Sequence, residues 1–156
     1  MIRSLLIGLV AGSRSMTPLA AVSLAARRRR LPRGNGAPHI LDTGLAGAGA
    51  VALAVGELLG DKMKSAPDRI VPAGMAARLV TGGLAGAALA PRDRRGLGVA
   101  LGAAGAVLSA YLTYDLRMRA LRRWGQTATG LVEDALVVGA TSWIMAGAAR
   151  DDARAV

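Results

Sequence analysis

The stretch LGVALGAAGAVLSAYLTY, Leu97 to Tyr114, carries no charged residue from end to end. Crossing a hydrocarbon core takes roughly 17–25 helical residues at about 1.5 Å rise each, so this run is long enough to span a bilayer. A strand is disfavoured, because the run lacks period-two alternation and is built largely of Ala and Gly, which fit sheets poorly. Four further apolar stretches flank it, at about 4–26, 43–60, 73–90 and 130–149. The first is interrupted by Ser13-Arg14-Ser15-Met16-Thr17-Pro18, and the second is uncharged until Glu57. The third carries Arg78 near its start and stops at Pro91, and the last has Glu133 and Asp134 in its first turn. The expected fold is all-α: a polytopic integral membrane bundle of four to five Ala/Gly-rich transmembrane helices. It forms one domain over residues 1–156, with the first helix broken near Ser13 to Pro18.

Composition agrees with lipid as the solvent. Apolar residues make up 53% of the chain, yet Phe is absent and there are only two Trp and two Tyr. Small residues let helix backbones approach closely in a bilayer, where apolar bulk gives no advantage over lipid tails. Gly8/Gly12, Gly56/Gly60, Gly82/Gly86 and Gly98/Gly102 are spaced four apart, on one helix face, and read as packing grooves. None has the strand before it or the Gly-Lys-Ser/Thr ending of a phosphate loop. The segments 27–36, 61–72, 91–96 and 117–129 read as connections. Arg3 followed by Leu5 to Ala11 resembles the start of a signal peptide, but Arg14 follows at once without a clear cleavage site, so the segment reads as a retained helix.

The net charge is +10. Arg27 to Arg30 adjoin an apolar run, a placement that fits anionic lipid headgroups better than nucleic acid. Cations divide almost evenly between the two faces expected from helix alternation, so no orientation follows from them. Cysteine is absent, which excludes disulfides, thiolate metal sites and cysteine nucleophiles. His39 is the one histidine and lies in a loop, so neither a metal centre nor a Ser/His/Asp triad is expected. No cofactor is implied, and no catalytic constellation marks an enzyme.

Charges inside the apolar runs are more informative. Arg14 lies about 16 Å along an ideal helix from Arg3, deep enough that an unpaired guanidinium would cost several kcal/mol. Helix alternation brings Glu57, Asp61, Asp115, Glu133, Asp134 and Arg78 to one membrane face. Arg14 is therefore expected to pair with Glu133, Asp134 or Glu57. Pro18 disfavours helix at Thr17, so Ser13 to Thr17 is expected to open beside it. The competing interpretation is an ion pair that only locks helices together. A polar cavity reaching Arg14 would favour solute passage, whereas a dry, saturated pair would favour the lock.

Gly12-Ser13-Arg14-Ser15-Met16-Thr17-Pro18-Leu19, Gly56-Glu57-Leu58-Leu59-Gly60-Asp61-Lys62 and Pro67-Asp68-Arg69 together resemble the bacterial membrane family catalogued as domain of unknown function 4126. The resemblance covers residues up to about 90 and, more weakly, the segment Val132-Glu133-Asp134-Ala135. It implies a small helical membrane protein with Gly-x-Arg near its first helix and Glu-x-x-x-Asp-Lys ending its second. Those features fall here on Gly12 and Arg14, and on Glu57, Asp61 and Lys62. No activity is implied.

The expected site comprises Arg14, Glu57, Asp61, Lys62, Arg78, Glu133 and Asp134. In a multi-pass protein of the bacterial plasma membrane it would serve a small permease or channel-like carrier for an ion or anionic solute. A homo-oligomer is expected, since so few helices barely enclose a pathway. The alternatives are a non-transporting organiser and, more remotely, an enzyme acting on lipid headgroups near Asp61, Lys62 and Arg78.

Overall fold

The computed structural model describes residues 1–60 and 71–154, and Asp61 and Lys62 lie outside them. Six α-helices are described: α1 (Ile2–Ser13), α2 (Met16–Arg27), α3 (Gly44–Gly60), α4 (Pro72–Ala88), α5 (Arg95–Trp124) and α6 (Gln126–Arg154). Short 3-10 turns at His39–Asp42 and Arg92–Arg94 complete the connections. No strand occurs among the described residues.

The first apolar stretch folds as two helices of 12 residues each. Its break is narrower than expected and falls at Arg14 and Ser15, with Arg14 extended at φ −138° and ψ 107°. Pro18 does not prolong the opening, because it sits in the first turn of α2, where no intrahelical partner awaits its missing N–H. The segment expected as a connection over 117–129 is mostly helix. Leu116 to Trp124 consists mainly of Leu, Arg, Met and Ala, all good helix formers, and no breaker appears before Gly125. Gly125 alone separates α5 from α6, at φ 77°.

α5 is the axis on which α1 and α4 pack. The contact is backbone on backbone at the small residues. A Cβ on Gly102 would overlap the Gly82 carbonyl oxygen, and one on Gly8 would overlap the carbonyl oxygen of Gly102 itself. Gly12, Gly86 and Gly98 are equally closed. Gly56 meets nothing, because that face of α3 points away from the bundle. α3 touches α2 through Gly47, Ala50 and Ala54 and leaves Leu45, Leu53 and Leu59 uncovered, Leu45 to 87%. α6 adds a stripe of Asp134, Val137, Thr141, Ile144 and Ala148, whose alternating spacing of three and four marks one narrow helix face.

α5 and α6 are each long and apolar enough to cross a membrane. Only 33% and 22% of their most apolar stretches are buried inside the protein, unlike the core helices of a water-soluble fold. The other helices are shorter, and α1 and α3 are also apolar.

Candidate functional site

The break between α1 and α2 leaves two sets of backbone groups without helical partners: carbonyls at the end of α1 and N–H groups at the start of α2. Charged side chains from other helices satisfy both. Glu57 of α3 reaches the α2 N-terminus, where its Oε1 accepts from the Ser15 N–H at 2.9 Å and the Ser15 hydroxyl at 3.0 Å. Its Oε2 accepts from the Met16 N–H at 2.9 Å. A carboxylate at this position both caps the helix and faces the positive end of its dipole. On the other side, Arg78 of α4 donates through Nε to the Gly12 carbonyl at 2.9 Å and through Nη1 to the Gly74 carbonyl at 2.9 Å.

Arg14 lies between these two caps and is 1% exposed. Its Nη2 is 2.7 Å from Asp134 Oδ1 on α6, and its Nη1 donates to the Glu57 carbonyl at 3.5 Å. Of the three expected partners, Asp134 forms the ion pair. Glu57 contributes to Arg14 through its backbone, and Glu133 turns elsewhere. Adjacent helical residues point about 100° apart, and Glu133 accordingly pairs with Arg117 of α5 at 2.6 Å. Asp115 remains outside the cluster, in an exposed pair with Arg119 one turn along α5.

The structure thus joins Arg14 of the break with Glu57 of α3, Arg78 of α4 and Asp134 of α6, two cations and two carboxylates. Arg78 is 6% exposed, with its guanidinium turned to the Gly12 and Gly74 carbonyls. Sequence inspection missed the backbone members, namely the N–H groups of Ser15 and Met16 and the Gly12 carbonyl. It also missed Arg117, because 117–129 read as a connection; the unbroken run of helix formers to Trp124 was the available signal.

Charged contacts also fasten α6. Besides Asp134 and Glu133, Asp151 pairs with Arg3, and Asp152 accepts from the Arg33 N–H at 2.7 Å. A largely apolar cleft of about 620 Å³ lies between the diverging α5 and α6, lined by Leu116, Ala120, Trp124, Val132 and Leu136 with the Arg117–Glu133 pair on its wall.

Removal of the borrowed cap is expected to be measurable. Glu57→Ala leaves three donors at the start of α2 and should destabilise the fold by about 1–2 kcal/mol. Glu57→Gln, which keeps one accepting oxygen, should lose less; equal melting points for wild type and Glu57→Ala in the same detergent would refute the cap.

No family model, curated protein sequence or solved structure matches this chain.

Proposed function

We propose that the chain is a multi-pass protein of the bacterial plasma membrane, with four to five spans and the motifs of the 4126 family. It acts as a small permease or channel-like carrier for an ion or anionic solute, in a homo-oligomer. The observation that carries this reading is the broken first helix, with the α2 N-terminus directed at the Glu57 carboxylate and Arg14 beside it. Irregular backbone at membrane depth is tolerated where it is buried in protein or lines a water-filled cavity, and half-helix termini there are suited to binding ions.

The chemistry is exchange of partners within a neutral cluster. An incoming anion can take the N–H groups that Glu57 holds. A proton or cation arriving at Asp134 releases Arg14, whose second contact is the Glu57 carbonyl. A proton or cation at Asp134 loosens α6 from the break and an anion at the α2 N-terminus loosens α3, and each takes a counter-charge from a buried group, a cost that favours return to the resting pairs.

The second reading is a membrane organiser in which the cluster only locks helices, and the near-complete burial of Arg14 favours it. Arg14→Gln in proteoliposomes separates the two. Loss of hydrogen bonds to a charged group of about 1.5–3 kcal/mol corresponds to roughly a ten- to hundredfold fall in flux, measured on protein shown to be inserted and folded. Unchanged flux of the solute that wild type carries would remove Arg14 from the pathway.

A further inference from the structure

Arg29 has φ 52°, the left-handed conformation in which a β-carbon is strained. It closes α2 as glycine usually does: the Arg29 N–H bonds the Ala26 carbonyl at 3.0 Å and the Arg30 N–H bonds the Ala25 carbonyl at 2.8 Å. Glycine would fit this position without strain, so the helix end itself does not require the arginine side chain. Strain retained where the backbone could avoid it points to the side chain as its reason.

That side chain lines a pocket of about 340 Å³ together with Arg33, His39, Asp42, Arg92 and Arg95. Two loops form the pocket, and they are pinned to each other. The Gly36 N–H donates to the Ala90 carbonyl at 2.8 Å, and the Arg92 N–H donates to the Gly34 carbonyl at 2.7 Å. Asn35 stiffens the first loop from within, donating to the Pro32 carbonyl at 2.8 Å and accepting from the Ala37 N–H at 3.0 Å. Arg29 and Arg33 therefore line one pocket with Arg92 and Arg95 on pinned backbones, although more than 50 residues separate the two pairs in sequence. None of these four guanidinium groups has a carboxylate at ion-pair distance among the described residues, and Asp42 is the one acidic group on the lining.

Four like charges held together repel one another, and solvent screening relieves this only in part. A compact polyanion removes the repulsion, and guanidinium forks match the oxygen spacing of phosphate, a bidentate fit that a monatomic halide cannot offer. We infer that the pocket of Arg29, Arg33, Arg92 and Arg95 binds a phosphate group, borne either by an anionic lipid headgroup or by a small soluble molecule. It lies at the end of α2 opposite the helix break, about 18 Å away, and does not depend on the carrier reading.

The test uses the full chain in two settings: phosphatidylcholine nanodiscs titrated with inorganic phosphate, and detergent micelles titrated with phosphatidic acid. Arg29→Gly is compared with the single control Arg122→Gln, and the double variant Arg92→Gln/Arg95→Gln with the double control Arg122→Gln/Arg123→Gln, both controls at the far end of α5. The pocket variants should each bind about tenfold or more weakly, as expected for lost charge-assisted hydrogen bonds, and the controls should bind as wild type does. Arg29→Gly should also melt at a higher temperature than wild type, because glycine relieves the strain; weaker binding by a more stable protein cannot come from misfolding.

Binding of phosphatidic acid alone supports the pocket and assigns it to a lipid headgroup. Binding of inorganic phosphate supports it and assigns it to a soluble ligand. The proposal is overturned if neither probe binds, or if the controls weaken binding as much as the pocket variants do. It is equally overturned if Arg29→Gly melts higher yet binds as wild type, since Arg29 would then only terminate a helix.

Discussion

Arg14→Met should destabilise the protein by about 3–5 kcal/mol, the range seen when one partner of a buried ion pair is removed. The loss would come chiefly from Asp134, left with its carboxylate 14% exposed and no guanidinium at 2.7 Å. Asp134→Leu should be similarly harmful, because Arg14 is more deeply enclosed than its partner. The double variant Arg14→Met/Asp134→Leu should recover most of either loss, since two apolar side chains of similar volume remove both desolvation costs at once. Reversible unfolding in detergent of the four proteins in this cycle measures the coupling. Additive losses would show that the two residues do not act as a pair. Flux through the double variant then separates function from folding: a stable protein that no longer carries solute identifies the pair with transport, and one that still does identifies it as a lock.

Gly102→Ala is the second large effect. One added methyl group would overlap the carbonyl of Gly82 and approach the Cα of Gly86, on a helix that also presses against Gly8. Backbone has no rotamer with which to retreat, so α4 must move from α5. Overpacking of this kind costs about 1–3 kcal/mol, and the upper end is expected because the methyl meets backbone at both Gly82 and Gly86. Gly56→Ala and Gly139→Ala serve as controls, since a Cβ at either position meets nothing. These should gain up to about 1 kcal/mol from improved helix propensity. Melting of all three variants in one detergent checks the contrast, and an unaffected Gly102→Ala would refute backbone-to-backbone packing.

The helices were legible because their signals are local. Uncharged Ala/Gly runs and prolines placed the ends of α3 and α4 within about two residues, but α5 runs about ten residues past its expected end at Tyr114 and α6 extends about four or five residues beyond 130–149 at each end. Spacing by four also picked out Gly8, Gly12, Gly82, Gly86, Gly98 and Gly102. It could not tell that Gly56 faces outward, because a repeat fixes which residues share a face and not what that face meets. The Arg14–Asp134 partnership was narrowed to three candidates by depth and helix alternation. Choosing among them needed the rotation of α6 about its own axis, which no short-range pattern specifies. Glu57 as a cap for α2 was out of reach for a similar reason. Capping is usually recognised from a residue just before the helix, whereas this cap arrives from another helix more than 40 residues later. The arginine pocket went unseen because its two halves looked like separate basic loops.

The placement of Arg14's counter-charge on the last helix has a consequence for biosynthesis. Arg14 leaves the ribosome about 120 residues before Asp134, an interval of roughly 6–24 s at about 5–20 residues per second. During that time the guanidinium must be accommodated by something other than its eventual carboxylate. The carbonyl of Glu57 is available much sooner, once α3 has emerged, and supplies an interim acceptor in the position it will later share. Arrival of α6 then completes assembly, so a nascent chain halted before Asp134 presents the translocon or a membrane chaperone with an arginine that still lacks its α6 carboxylate.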